Sequence, residues 1–166
     1  MFKSNFKIFL LNTSIVLIIF LIDRLSKIYI LKLAELSDKV DVYLTSYLNL
    51  YLIWNKGIAF GLLSSNENLI YNIISAIIII ITFVILFMAI KTYGFRRYSL
   101  MLILGGSLGN LFDRLYYKAV PDFIDFHLNS FHWFIFNVAD IFITVGVICL
   151  IYAEIFFNST KNEKLF

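Results

Sequence analysis

From Asn68 to Ile90 the chain runs for 23 residues without a charged side chain. At about 1.5 Å per residue, a helix of that length crosses the roughly 30 Å hydrocarbon layer of a bilayer. A chain of 166 residues that is 61% hydrophobic and only 15% charged has too little polar surface to cover itself in water. Lipid is therefore the expected solvent for much of it. The net charge of +3 comes without a clustered basic face, so a nucleic-acid partner is not expected. Cys149 is the single cysteine, and no intrachain disulfide can form.

Three more segments read as spans. The first runs from about residue 8 to 31; it follows Lys3 and Lys7 and lacks the small-residue site of a cleaved leader. The others cover about 98–117 and 134–157. With 68–90 they predict a membrane-embedded all-α bundle of four transmembrane helices in one domain, residues 1–166. Between the first two spans, residues 40–61 alternate apolar and polar side chains and then become rich in aromatics. That pattern predicts a small β-rich segment at the membrane surface. The 119–133 connection has no Lys or Arg, whereas the N-terminus, the 91–97 connection and the tail carry them. The positive-inside rule then places both termini in the cytoplasm and the two longer connections outside.

Ionisable groups near spans are costly and mark functional sites by default. Here they are Asp23, Lys27, Asp113, Arg114, Asp122 and Asp140, and this topology gathers them at the outer ends of the helices. Two carboxylates held close share a proton at neutral pH. One then takes a proton from water while the other polarises a peptide carbonyl, which needs neither a nucleophilic side chain nor a metal. Asp122 and Asp140 are the candidate pair, with Asp125 as a rival to Asp122. As structural alternatives, Asp140 ties helices together and Asp122 is a solvated loop acid.

Gly105 and Gly109 form a small-xxx-small pair for close helix contact. Asn110, Asp113 and Arg114 follow at i, i+3 and i+4 spacing, as a polar stripe that binds substrate backbone or orients the carboxylates. Asp23 and Lys27, four apart, read as a structural pair. The Asn55–Gly61 stretch reads as a turn or a substrate-gripping surface segment. His127 and His132 lie near Asp122 and Asp125, but HExxH spacing is absent and the ligand set is thin, so no metal site and no cofactor is expected. Neither a GxSxG elbow nor a phosphate-binding loop is present. A proton-carrying transporter is the competing class, but it predicts internal repeats, which the sequence lacks.

Together these motifs resemble the type II (lipoprotein) signal peptidases from Asp23 to about Ile143. They are Asp23-Arg24-x-x-Lys27, Asn55-x-Gly57-x-Ala59-Phe60, Gly105-Gly106-x-x-Gly109-Asn110-x-x-Asp113-Arg114, Asp122-Phe123 and Phe136-Asn137-x-Ala139-Asp140. Pro121 departs from the aliphatic residue usual before the first aspartate. The resemblance implies an aspartic endopeptidase with an extracytoplasmic β-cradle. It would cleave N-terminal to the lipidated cysteine of diacylglyceryl-modified prolipoproteins. It implies catalytic roles for Asp122 and Asp140 and substrate- or inhibitor-binding roles for Asn55, Gly57, Asn110, Arg114, Asn137 and Ala139. Asp23, Lys27 and Asp113 would be supporting residues. The implied partners are the prolipoproteins, membrane lipids and globomycin-type inhibitors, met by a monomer in the bacterial cytoplasmic (inner) membrane.

Overall fold

The computed structural model describes residues 2–37, 39–57, 68–129 and 131–162. The helices are α1 (Phe2–Ser37), α2 (Asn68–Lys91), α3 (Phe95–Tyr117) and α4 (Val138–Asn162). Strands β1 (Asp41–Thr45) and β2 (Leu48–Asn55) follow α1, and β3 (Val120–Leu128) and β4 (Phe131–Phe136) lie between α3 and α4. They make one antiparallel sheet in the order β1-β2-β3-β4.

Among the described residues, three helices are long and apolar enough to cross a membrane: α1 over Lys7–Ser37, α2 over Leu69–Lys91 and α4 over Val138–Phe156. Their outer faces are bare hydrocarbon, with Leu17, Ile80, Phe83, Phe87 and Ile148 all at least half exposed. Such a surface is stable only against lipid. Helix α3 is the exception because it is central. It packs against each of the other three helices, and its buried residues include Ser99, Asp113 and Arg114. Neighbouring helices, not its own composition, shield these polar groups from lipid.

The glycines of α3 set the spacing. A Cβ on Gly105 would lie 2.8 Å from Ile19 Cβ of α1, and one on Gly109 would collide with the Asp23 carboxylate. A Cβ on Gly106 would lie 2.5 Å from the Ala139 carbonyl oxygen of α4. From α4, Gly146 returns the contact against Ile103 and the Ser99 carbonyl. The predicted small-residue pair thus faces α1, while Gly106 opens a second close approach to α4. Gly106→Ala meets backbone that cannot swing aside. We expect it to cost about 1–3 kcal/mol in detergent unfolding and to displace the first turn of α4. A melting temperature equal to the parent's would show that the seam has slack.

The element boundaries correct the sequence reading in three places. Helix α1 is longer than the expected 8–31. The 119–133 connection, read as a loop, is mostly strand, because β3 is buried on both faces over Val120–Phe123 and there lacks the alternation of a half-buried strand. The segment Phe134–Phe136 belongs to β4 and not to the last helix, which begins at Val138. Pro121 sits one residue into β3, opposite Trp54. The helix stop is Lys118, in the left-handed conformation at φ 59°.

Candidate active site

Asn137, the residue before α4, and Asp140, in its first turn, cap each other. The Asp140 backbone N–H donates to Asn137 Oδ1 at 3.1 Å, and the Asn137 backbone N–H donates to Asp140 Oδ2 at 3.1 Å. This is a capping box with Asn and Asp in place of Ser/Thr and Glu/Gln. Asp140, expected at the outer end of the last span, is therefore at a helix N-terminus, where the macrodipole favours negative charge. The first turn is completed from another helix, since Asp23 Oδ1 of α1 accepts the Ala139 N–H at 3.0 Å.

Asp122 reaches the same place from β3. It is 1% exposed, and its oxygens accept from Asn137 Nδ2 at 2.6 Å and Asn55 Nδ2 at 2.8 Å. Asp140 Oδ1 accepts from Asn110 Nδ2 at 2.8 Å. Each of the four carboxyl oxygens thus faces one N–H donor, and Asn137 bridges the two acids.

The three asparagines are oriented by groups that can only donate. Asn137 Oδ1 takes the Asp140 N–H, Asn55 Oδ1 takes the Gly57 N–H at 2.8 Å, and Asn110 Oδ1 takes Lys27 Nζ at 2.8 Å. A flipped amide would set N–H against N–H, so every Nδ2 must point at a carboxyl. Burial, then the neighbouring Asp140 charge, pushes the Asp122 carboxyl up to about 7 against the pull of Asn137 and Asn55.

Behind the acids lies a buried ionic cluster. Lys27 Nζ donates to Asp23 Oδ2 at 2.9 Å, Asp113 Oδ2 at 2.6 Å and Asn110, which uses all three of its protons. Arg24, which sequence reasoning left without a role, bridges Asp113 Oδ1 at 2.5 Å and Asp23 at 3.3 Å, with its guanidinium over the Phe112 ring. Its adjacency to Asp23 was the available signal. Asp113 therefore pairs with Arg24 and Lys27 of α1 and not with its neighbour Arg114.

Arg114 points elsewhere. It donates to the Gly57 carbonyl, and its own carbonyl accepts from Tyr71 OH at 2.8 Å. Its Nε and Nη1 are buried without a partner among the described residues. A cavity of about 500 Å³ is lined by Asn55, Asn110, Arg114, Asp122, Asn137 and Asp140, and continues along apolar residues of α2 and α4. A second cavity of about 500 Å³, walled by Phe126, Phe134 and Phe136, meets Asp140 from the other side.

The structure thus brings together Asn55, Asn110, Arg114, Asp122, Asn137 and Asp140, with Asp23, Lys27 and Asp113 beneath them. Ala139 contributes its backbone N–H and, at 0% exposure, no accessible side chain. Gly57 contributes its carbonyl; Ala59 and Phe60 lie outside the described residues. Asp125, the rival acid, is three residues along β3 and so on the opposite face of the sheet, where it accepts from His132 Nδ1 at 2.8 Å.

The family model for signal peptidase (SPase) II matches residues 15–156. The chain is 57% identical over 163 residues to the lipoprotein signal peptidase of Pelagibacter ubique (strain HTCC1062), covering 98% of each chain. It is 42% identical over 148 residues to that of Anaplasma phagocytophilum (strain HZ), covering 87% of this chain and 92% of the relative. A solved bacterial membrane enzyme superposes with a TM-score of 0.70 at 27% identity, covering 90% of each chain. A buried acid pair within a helical membrane fold, and matches that run almost from end to end, lead to one assignment: this chain belongs to the signal peptidase II family of membrane peptidases.

Proposed function

We propose that the protein is an aspartic endopeptidase in which Asp122 and Asp140 activate water to cut diacylglyceryl-modified prolipoproteins just before the lipidated cysteine. The observation that carries this reading is the asparagine bridge. Two buried acids, far apart in sequence, meet across Asn137 with every oxygen held by a fixed donor.

The chemistry follows from that arrangement. With Asp122 raised to about 7, the pair keeps a shared proton up to near-neutral pH. The ionised carboxylate takes a proton from water as the water oxygen bonds to the scissile carbonyl carbon. The protonated carboxyl gives its proton to the carbonyl oxygen. Collapse of the tetrahedral adduct breaks the C–N bond, returns the carbonyl oxygen's proton to one acid and delivers the water proton to the leaving nitrogen. The pair ends with one proton, as it began. The unpartnered Nε and Nη1 of Arg114 are placed to take a substrate backbone carbonyl in the same cavity.

All four helices cross the bilayer in this reading, α3 as the shielded central one, with both termini cytoplasmic. The sheet then lies at the outer face. Exposed Tyr43, Tyr47, Tyr51 and Trp54 suit head-group depth, where they cover the substrate from above. A diacylglyceryl anchor in the outer leaflet fixes the scissile bond at the depth of the acids, which removes most of the search for orientation. The apolar continuation of the cavity along α2 and α4 accepts the signal sequence.

The test is incubation of purified protein in detergent or nanodiscs with a lipidated precursor and with the same precursor lacking the diacylglyceryl group. Release of the signal peptide from the lipidated form alone is expected. Equal cleavage of both would overturn the substrate assignment. The pH profile tests the mechanism. The pair's shared proton, marked by the raised Asp122 carboxyl, is held below about pH 7 and lost above it. Because the carbonyl needs that proton, kcat/KM falls on the alkaline side of a limb near pH 7, about tenfold per pH unit. Activity that keeps rising to pH 9 would contradict a shared proton.

A further inference from the structure

The sheet carries a second cluster on the face turned away from the acid pair. Asp125 and His127 are two apart on β3 and share that face. His132 of β4 is the direct cross-strand partner of His127. Regular alternation would send His132 to the same side as Phe134, which pairs with Phe126 on the acid-pair face. The register shift between Phe126 and His127 inserts one extra β4 residue and turns His132 over to join Asp125 and His127. The stacked imidazoles lie 5.2 Å apart, and the ligand-capable atoms of the three side chains lie within 4.8 Å of one another.

A hydrogen-bonded His–Asp pair accounts for His132 but not for the rest. Asp125 is 2% exposed and His127 8%. His127 Nδ1 is buried without a hydrogen-bond partner among the described residues, 3.7 Å from Asp125 Oδ2. Asn49, directly opposite Asp125 on β2, shares its face, and Asn49 Oδ1 is also buried and partnerless among the described residues. Burying two such atoms costs about 1–3 kcal/mol each unless something binds them.

We propose that Asp125, His127 and His132, with Asn49 Oδ1 or water as a further ligand, bind a divalent d-block cation of the zinc class. Two imidazole nitrogens and a carboxylate are the donor set such ions take. Ligands about 2.1 Å from zinc stand about 3.4 Å from each other in a tetrahedron. The spacings of Asp125 Oδ2 to His132 Nδ1, 2.8 Å, and to His127 Nδ1, 3.7 Å, bracket that value. The His132 side chain is 57% exposed, which leaves the ion an entry path. The site joins β4, the edge strand, to β3 and β2. It is a structural clip behind the Phe126 and Phe134 wall, and it takes no part in the chemistry of Asp122 and Asp140.

The experiment uses tag-free, chelator-treated full-length protein in detergent. It is titrated with Zn(II) by calorimetry and with Co(II) by visible absorption. Saturation at one equivalent, cobalt bands of nitrogen–oxygen coordination and a raised melting temperature are expected. His132→Ala and His127→Gln should each weaken zinc binding by about tenfold or more. Cleavage of lipidated precursor should survive both chelation and Asp125→Asn. Absence of saturable binding in the parent protein overturns the proposal. So does binding that both histidine variants leave intact, because the ion would then sit elsewhere.

Discussion

Asp122→Asn and Asp140→Asn each reduce cleavage of a lipidated precursor by about a thousandfold or more, while the protein still inserts and unfolds cooperatively. The loss has two sources. An amide can neither carry the shared proton nor take one from water. It also brings two N–H donors to a position where both oxygens already face donors that cannot turn away. Asn137 is held by the Asp140 N–H, Asn55 by the Gly57 N–H and Asn110 by Lys27, so a new Nδ2 meets an N–H head-on. That conflict costs about 1–3 kcal/mol of stability, which leaves a folded protein. The double variant should be no slower than either single one, because the two acids act as a unit. A variant that retains a tenth of parental turnover removes its residue from the reacting pair. Asp125→Asn is the internal control: its carboxylate lies on the far face of β3 against His132, and turnover should be unchanged.

How far the sequence foretold this site depends on what kind of signal each residue leaves. Asp23, Lys27, Asp113, Asp122 and Asp140 stood out because a charge in an apolar setting is expensive, and that cost is visible in one dimension. Their partners were less visible. Asn110 and Asn137 are ordinary polar residues whose importance comes from a fixed amide orientation, which depends on Lys27 and on the first turn of α4. The Asn137-x-x-Asp140 spacing did carry a capping signal, but an apolar segment on each side made the whole stretch look like one span. Strand β3 stayed hidden because Asp122 and Asp125 are both buried, on opposite faces, so polarity did not mark an inside and an outside. The two histidines looked too sparse to form a site. What unites them with Asp125 is a register shift in β4, and no residue pattern announces a shift of one.

Removing the Lys27 ammonium should be the most damaging single change to stability. Its side chain has no exposed surface, and neither do those of Asp23 and Asp113. Lys27→Met leaves two buried carboxylates with only Arg24 between them, and an uncompensated buried charge costs about 3–5 kcal/mol. Added salt should not soften the loss, since ions cannot enter the cluster to screen it. The damage also passes to the acid pair along a defined route. Without Lys27 Nζ, Asn110 Oδ1 loses its donor, so the amide is free to turn and Asp140 Oδ1 loses its fixed N–H. Neutralising one acid as well, in Lys27→Met with Asp113→Asn, should recover part of the stability, because it restores charge balance around Arg24 and Asp23. It should recover little activity, because Asn110 is still unanchored. Thermal unfolding and precursor cleavage, measured on both variants at two salt concentrations, separate these effects. A Lys27→Met protein within about 1 kcal/mol of the parent would mean that water reaches the cluster and that the four charges do not hold α1 to α3.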